Sequence, residues 1–196
     1  ASTGRYSRRE VKTLVREGRV RVDGRIAASA EDKCDPLTAR ISVNGEELFY
    51  REHTYVMLHK PAGVLSATED GRGETVLDLL APEYRKIGLF PVGRLDKDTE
   101  GLLRLTTDGD LAHRILSPRH GVWKRYYAEH EGRTGPEDVR AFEQGLVLAD
   151  GLHCLPARLT PLSAARSNVC VQEGQEHPVR RILPCRRCPA TKLRRA

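Results

Sequence analysis

Ile87-Gly88-Leu89-Phe90-Pro91-Val92, then Gly93-Arg94-Leu95-Asp96-Lys97-Asp98-Thr99-Glu100-Gly101, then Leu102-Leu103-Arg104-Leu105: two apolar runs flank a charged loop. The runs are short, apolar and bounded by Gly or Pro, which is the pattern of buried strands. The loop mixes acids and bases with a Thr and has a Gly at each end. A rigid sheet that presents such a loop can hold a catalytic group in place. The same composition also suits a solvated turn, so the loop's neighbours have to decide.

Upstream, Ser7 and Glu10 have the spacing of a capping box. Val11, Leu14 and Val15 then form one apolar stripe, while Arg8, Arg9, Lys12, Arg16 and Arg19 lie mostly off it. Gly18 suits the stop of this helix. Arg19-Val20-Arg21-Val22 and Ile41-Ser42-Val43 alternate as strands, and Asp23-Gly24 and Asn44-Gly45 are tight-turn signals. Residues 46–53 are polar and read as a linker. Tyr55-Val56-Met57-Leu58 reads as a strand, and Ser66 to Glu74 as a mobile polar loop. Thr75 and Asp78 have the spacing to cap a short helix carrying Val76, Leu79 and Leu80.

Downstream, Asp110 is placed to cap a helix with Leu111, Ile115 and Leu116 inward. Val122 to Glu129 is extended, with Trp123, Tyr126 and Tyr127. Pro136 opens a helix with Val139 and Phe142 on its apolar face and Gly145 at its stop. Leu146-Val147-Leu148 and Val169-Cys170-Val171 read as strands. Strands and helices mix without a regular βαβ repeat or a G-x-G-x-x-G, so the fold class is α+β.

The chain has 196 residues, a net charge of +6 and 39% hydrophobic residues. Residues 1–25 carry +5 and residues 177–196 carry +7, which leaves −6 in between. Basic ends on an acidic middle fit a polyanion gripped at particular places. No run approaches the roughly 18 apolar residues of a membrane span, and the expected location is cytoplasmic. Five scattered cysteines argue for reduced thiols. Cys185-Arg186-Arg187-Cys188 lacks the second pair or the histidines that a zinc site requires. There is no phosphate loop and no G-x-S-x-G, which leaves a cofactor-free reaction run by a carboxylate, or no reaction.

The helix with Gly18-Arg19-Val20-Arg21-Val22-Asp23-Gly24 resembles the S4 RNA-binding domain. Five further blocks resemble the RsuA branch of pseudouridine synthases, which often carry an S4 domain. They are Lys60-Pro61-Ala62-Gly63, Gly93 to Leu103, Thr107-Asp108-Gly109-Asp110, Ser117-Pro118-Arg119-His120 and Lys124-Arg125-Tyr126, and their order and spacing also match. The resemblance implies an S4-like domain over 1–48 (a helix plus β-hairpins), a linker at 49–53 and a synthase domain over 54–196. The second domain is expected to be a mixed, mainly antiparallel sheet with flanking helices.

The resemblance also implies a reaction, the isomerisation of uridine to pseudouridine in ribosomal RNA, with no cofactor and no metal. The family's single Asp falls on Asp96. Two roles are proposed for it there, addition at the anomeric carbon or removal of a proton from the neighbouring carbon. Either needs an oriented carboxylate in a dry setting, which a nearby cation keeps ionised. Arg180 takes the place of the family's cation, and Tyr126 that of its active-site tyrosine. Asp98 and Glu100 are read as loop-structuring. Arg94 and Lys60 join Arg8, Arg9, Lys12, Arg16 and Arg19 as the candidate substrate- and RNA-binding set. For Arg94, pairing within its loop is an equal reading; for Lys60-Pro61, shaping a turn beside the pocket is preferred.

The expected partner is ribosomal RNA or a ribosomal-subunit assembly intermediate, bound by a monomer. The pattern leans toward the small subunit (16S), with the large subunit (23S) or a non-catalytic RNA-binding role as alternatives. The late motif, Glu173 to Leu183, departs from the family at Glu176 and Pro178. Pro184 to Pro189 replaces an Ala-rich helix end. The first domain is expected to be incomplete at its start. The second is expected to lack its closing strands, leaving an exposed sheet edge.

Overall fold

The computed structural model describes residues 5–35, 37–172 and 178–196. It contains two compact units. One holds the residues through Thr54 together with Leu80–Leu89; the other holds Tyr55–Leu79 and Phe90–Ala196.

The first unit opens with helix α1 (Arg8–Arg16). The Ser7 hydroxyl accepts the Glu10 amide at 3.2 Å, and the Glu10 carboxylate accepts the Ser7 amide at 2.7 Å. These reciprocal bonds hold Glu10's pKa below the usual carboxylate range. Strands β1 (Val20–Val22), β2 (Arg25–Ile26), β3 (Ile41–Val43) and β4 (Glu46–Leu48) form an antiparallel sheet in the order β2-β1-β3-β4. Both tight turns are as the sequence predicts. Asp23 and Gly24 have φ of 49° and 80°, and Asn44 and Gly45 have 55° and 85°. Two successive left-handed residues match the twist of a hairpin. The second turn also explains a correction: Glu46–Leu48, read as linker, is folded back onto β3. Leu14, Val15, Val20 and Val43 form the core. A further helix, α2 (Pro82–Arg85), belongs to this unit.

The second unit is built on a seven-stranded sheet. Its strands are β5 (Tyr55–Lys60), β6 (Phe90–Pro91), β7 (Glu100–Thr106), β8 (Lys124–His130), β9 (Arg158–Ser163), β10 (Arg166–Val171) and β11 (Ala190–Arg195). The order is β5-β7-β11-β8-β10-β9, with β6 also paired to β7. All pairings are antiparallel except β11 with β7. Helices α3 (Gly109–Leu116), α4 (Pro136–Gln144) and α5 (Pro178–Ile182) complete it. The α+β, mainly antiparallel class is as expected. Leu103, Leu105, Val169, Leu193, Phe142, Val179 and Leu183 are buried in this unit. Phe142 is fully enclosed, which contributes roughly 1.5–3 kcal/mol.

Several local expectations are corrected. No helix spans Val76 to Leu80. Asp78 Oδ2 accepts both the amide and the hydroxyl of Thr75, closing only a turn. Pro82 holds Ala81 extended, at ψ 149°, so helix begins only at Pro82. The apolar run Ile87–Val92 yields a two-residue strand, because Gly88 is left-handed and Pro91 lacks a donor. Asp108, not Asp110, caps α3, accepting the Leu111 amide at 2.9 Å; Ala112 is the buried residue and Leu116 is exposed. Leu146–Leu148 forms one bridge, Val147 to His153, rather than a strand.

Residues 190–195 form the central strand β11, so β7 and β8 are both paired and the sheet's edges are β5 and β9. Gly101, with φ of 111°, permits this pairing. A Cβ there would overlap the backbone of Arg195, coming within 2.7 Å of its nitrogen. Pro178 opens α5, where its missing donor breaks no helical bond. The departure at Glu176 lies outside the described residues.

Candidate active site

The charged loop is pinned from below on both sides of Asp96. Lys60 ends β5 with no exposed surface. Its ammonium donates to three backbone carbonyls, Pro61 at 2.9 Å, Lys97 at 2.9 Å and Thr99 at 3.0 Å. An ammonium has three donors, so all are used. Burial pushes the Lys60 pKa down, and Asp98, Asp96 and Glu100 oppose that. On the other side, the Ser66 hydroxyl donates to the Leu95 carbonyl at 2.9 Å and accepts the Leu95 amide at 3.0 Å. The Gly63 amide adds a bond to the Lys97 carbonyl at 2.8 Å. The backbone that carries Asp96 is therefore fixed at Leu95, Lys97 and Thr99.

The Asp96 side chain is held as well. Buried Thr99 donates its hydroxyl to Asp96 Oδ2 at 3.3 Å, and its amide bonds the Asp96 carbonyl at 3.0 Å. Arg180 Nε, from the short helix α5, lies 3.4 Å from the same carboxylate oxygen. Both partners are partly shielded, at 32% and 22% side-chain exposure.

Tyr126 comes from the centre of β8 and is 6% exposed. Burial raises the pKa of its phenol; the Asp96 charge adds to that and Arg195 opposes it. The phenol thus keeps its proton at neutral pH and can donate a hydrogen bond. Arg195 stands opposite Tyr126 in the β11–β8 pairing, with its guanidinium 5.9 Å from the ring centre. Arg195 also helps push the Lys124 pKa down, after burial, the larger cause.

The structure thus pairs Asp96 with Arg180 from separate stretches, and the Asp96 charge contributes to the raised pKa of Tyr126. Arg94 is exposed on the loop. Lys60 needs correction as an RNA-contacting residue: its ammonium is enclosed under the loop, and its role is to hold that loop. In the other unit, Arg8, Arg9, Lys12, Arg16 and Arg19 are all exposed, and the first four line one groove with Thr13. Arg19 also contacts Asn44 at 2.6 Å and Glu17 at 3.0 Å. Ser66, Thr99 and Arg195 were missed by sequence reasoning. Ser66 stood in a polar stretch with no periodic signal. Cys185 and Cys188 are free thiols, and no cluster of metal-ligating side chains occurs among the described residues.

The site is a pinned Asp loop on a buried sheet, with an Arg at its carboxylate. Residues 54–183 match the family of RNA pseudouridylate synthases, and residues 2–36 match the S4 domain. The chain belongs to the RNA pseudouridylate synthase family, with an S4 RNA-binding domain before the synthase domain. It is 43% identical to YtzG of Bacillus subtilis, described as an uncharacterized RNA pseudouridine synthase, over 93% of this chain and 78% of that one. It is 34% identical to the ribosomal large subunit pseudouridine synthase B of the same organism, over 100% of this chain and 81% of that one. A crystal structure of a pseudouridylate synthase superimposes with a TM-score of 0.68 at 28% identity, covering all of this chain and 84% of that one.

Proposed function

We propose that the chain converts a uridine of ribosomal RNA to pseudouridine, with Asp96 as the group that engages the ribose. The observation that carries this reading is the Asp96–Arg180 pair on a loop whose backbone is pinned at Leu95, Lys97 and Thr99. The reaction breaks the N1–C1′ bond, turns the base and forms a C5–C1′ bond. The hydrogen at C5 leaves as a proton and N1, released from C1′, takes one up, so the net composition is unchanged. Asp96 either adds to C1′ or takes a proton from C2′; both require a fixed carboxylate, which the Lys60, Ser66 and Thr99 bonds supply. Arg180 offsets the carboxylate's charge, and Tyr126 packs on the target ring and is suited to handling the proton exchanged there. The target base leaves its stack to enter, at an expense of a few kcal/mol. Arg94 and the exposed basic face of α1 contact phosphates.

The first reading of the sequence favoured the small subunit. The 34% identity to a synthase named for the large ribosomal subunit supports the large-subunit RNA instead. Tritium release from C5-labelled uridine in isolated 16S and 23S transcripts tests both points. Release from 23S, abolished in Asp96→Asn, is expected. Equal release by parent and variant removes Asp96 from the mechanism, and release from 16S alone restores the small-subunit reading.

A further inference from the structure

Side chains alternate between the two faces of the second unit's sheet. Along β8, Tyr126, Ala128 and His130 are buried on one face, with the candidate site. Trp123, Arg125 and Tyr127 fall on the other. The pairing register extends that second face sideways. Arg194 of β11 stands opposite Tyr127, and Arg158 of β9 stands opposite Cys170, which itself faces Arg125.

Two of these arginines already lie over aromatic rings. Arg158 is 4.5 Å from the centre of Trp123, and Arg194 is 5.3 Å from that of Tyr127. Arg125, Arg158 and Arg194 are exposed, and so is Trp123, at 39%. The acids of this face among the described residues are otherwise engaged: Glu129 lies 3.8 Å from Arg166, and Glu100 lies 3.3 Å from Lys192. Among the described residues, no carboxylate lies within ion-pair distance of Arg125, Arg158 or Arg194.

An ordinary solvated face has no use for an exposed indole set between guanidinium groups. Aromatic rings interleaved with arginines are what a single strand of nucleic acid requires. Its bases stack on rings or on guanidinium planes, and its phosphates pair with the cations. A duplex offers phosphates but no free base faces. We propose that this exposed sheet face, on the side away from Tyr126, is a second RNA-contact surface that takes a single-stranded segment. The inference rests on RNA being the substrate, and it concerns where a strand outside the reaction site is held.

The test is fluorescence anisotropy of an end-labelled oligouridylate against salt, on the full chain. The triple variant Arg125→Gln, Arg158→Gln, Arg194→Gln is expected to bind at least about tenfold more weakly. Its log Kd versus log salt slope falls by about 2, since each cation on a single strand contributes about 0.7. Trp123→Ala weakens binding of the oligonucleotide with little change in slope. A blunt duplex loses less affinity than the single strand in both variants. Tritium release in Asp96→Asn is read separately from oligouridylate binding, so failure of the catalytic reading and failure of this one are distinguishable. Unchanged affinity and slope in the triple variant overturn the proposal, as does an equal loss for duplex and single strand. If the triple variant does not fold, photocrosslinking of 4-thiouridine RNA to the parent decides: adducts at Trp123, Arg125, Tyr127 or Arg158 support the surface, and their absence, or adducts confined to Tyr126, overturns it.

Discussion

Arg180 Nε and Asp96 Oδ2 stand 3.4 Å apart, although their residues come from a helix of five residues and a loop far away in sequence. The pair is half open to solvent, so its value lies in orienting and neutralising a reactive carboxylate more than in stability. Arg180→Gln is expected to lower kcat by about 10²–10³-fold, the range for removing one preorganised charge-stabilising group. KM changes much less, and the melting temperature stays close to the parent's. Steady-state tritium release together with a thermal melt separates these outcomes.

Lys60→Met takes the ammonium from the Pro61 and Thr99 carbonyls and leaves the Lys97 carbonyl with the Gly63 amide alone. A buried group left unsatisfied costs about 1–3 kcal/mol, so the variant is expected to lose at least about 2 kcal/mol in urea denaturation. Ser66→Ala removes a smaller support at Leu95 and is expected to lower kcat more than stability. A Lys60→Met protein of parental stability would refute the anchoring role.

Tyr126 supplies the pH dependence. Its pKa is raised in the fold, so the unfolded chain loses the phenolic proton first as pH rises. The stability linked to this group is complete below the unfolded value of about 10 and declines as pH climbs through the raised folded value. Tyr126→Phe is expected to flatten the alkaline limb of melting temperature against pH. An identical limb in parent and variant would show that the phenol is not protected in the fold.

Gly101→Ala sets a methyl group into the backbone of Arg195 at a left-handed position. A penalty of about 3 kcal/mol is expected from overpacking and backbone strain. Slowed hydrogen exchange at β11 amides in the parent, lost in the variant, locates the damage.

On α1, Arg8→Ala with Arg9→Ala and Arg16→Ala is expected to change stability by no more than about 0.5 kcal/mol per exposed site. The same substitutions weaken RNA binding and reduce the salt slope by about 1 per residue. A filter-binding salt titration reads both the affinity and the slope.

Much of this was legible because it is written locally. The Ser7–Glu10 box, the Asp-Gly and Asn-Gly turns and the start at Pro136 each depend on a few adjacent residues, and all formed as expected. Asp96, Tyr126 and Arg180 are proposed from motif resemblance rather than from pattern. What stayed hidden depends on distant partners. Nothing near Lys60 says that its ammonium will meet the carbonyls of Lys97 and Thr99, and nothing near Ser66 points to Leu95. The central place of 190–195 was equally silent, because a parallel pairing with β7 leaves no turn signal between the strands.

That central place has a consequence in time. A ribosome makes β7 and β8 long before β11, yet neither pairs with the other; each waits for the strand that separates them. Asp96 precedes β7, Tyr126 lies in β8, and Arg180 arrives just ahead of β11. During synthesis the chain therefore carries the parts of its site in two unjoined half-sheets. Non-local closure of this kind is slow, and the emergence of residues 190–195 is the event that joins them.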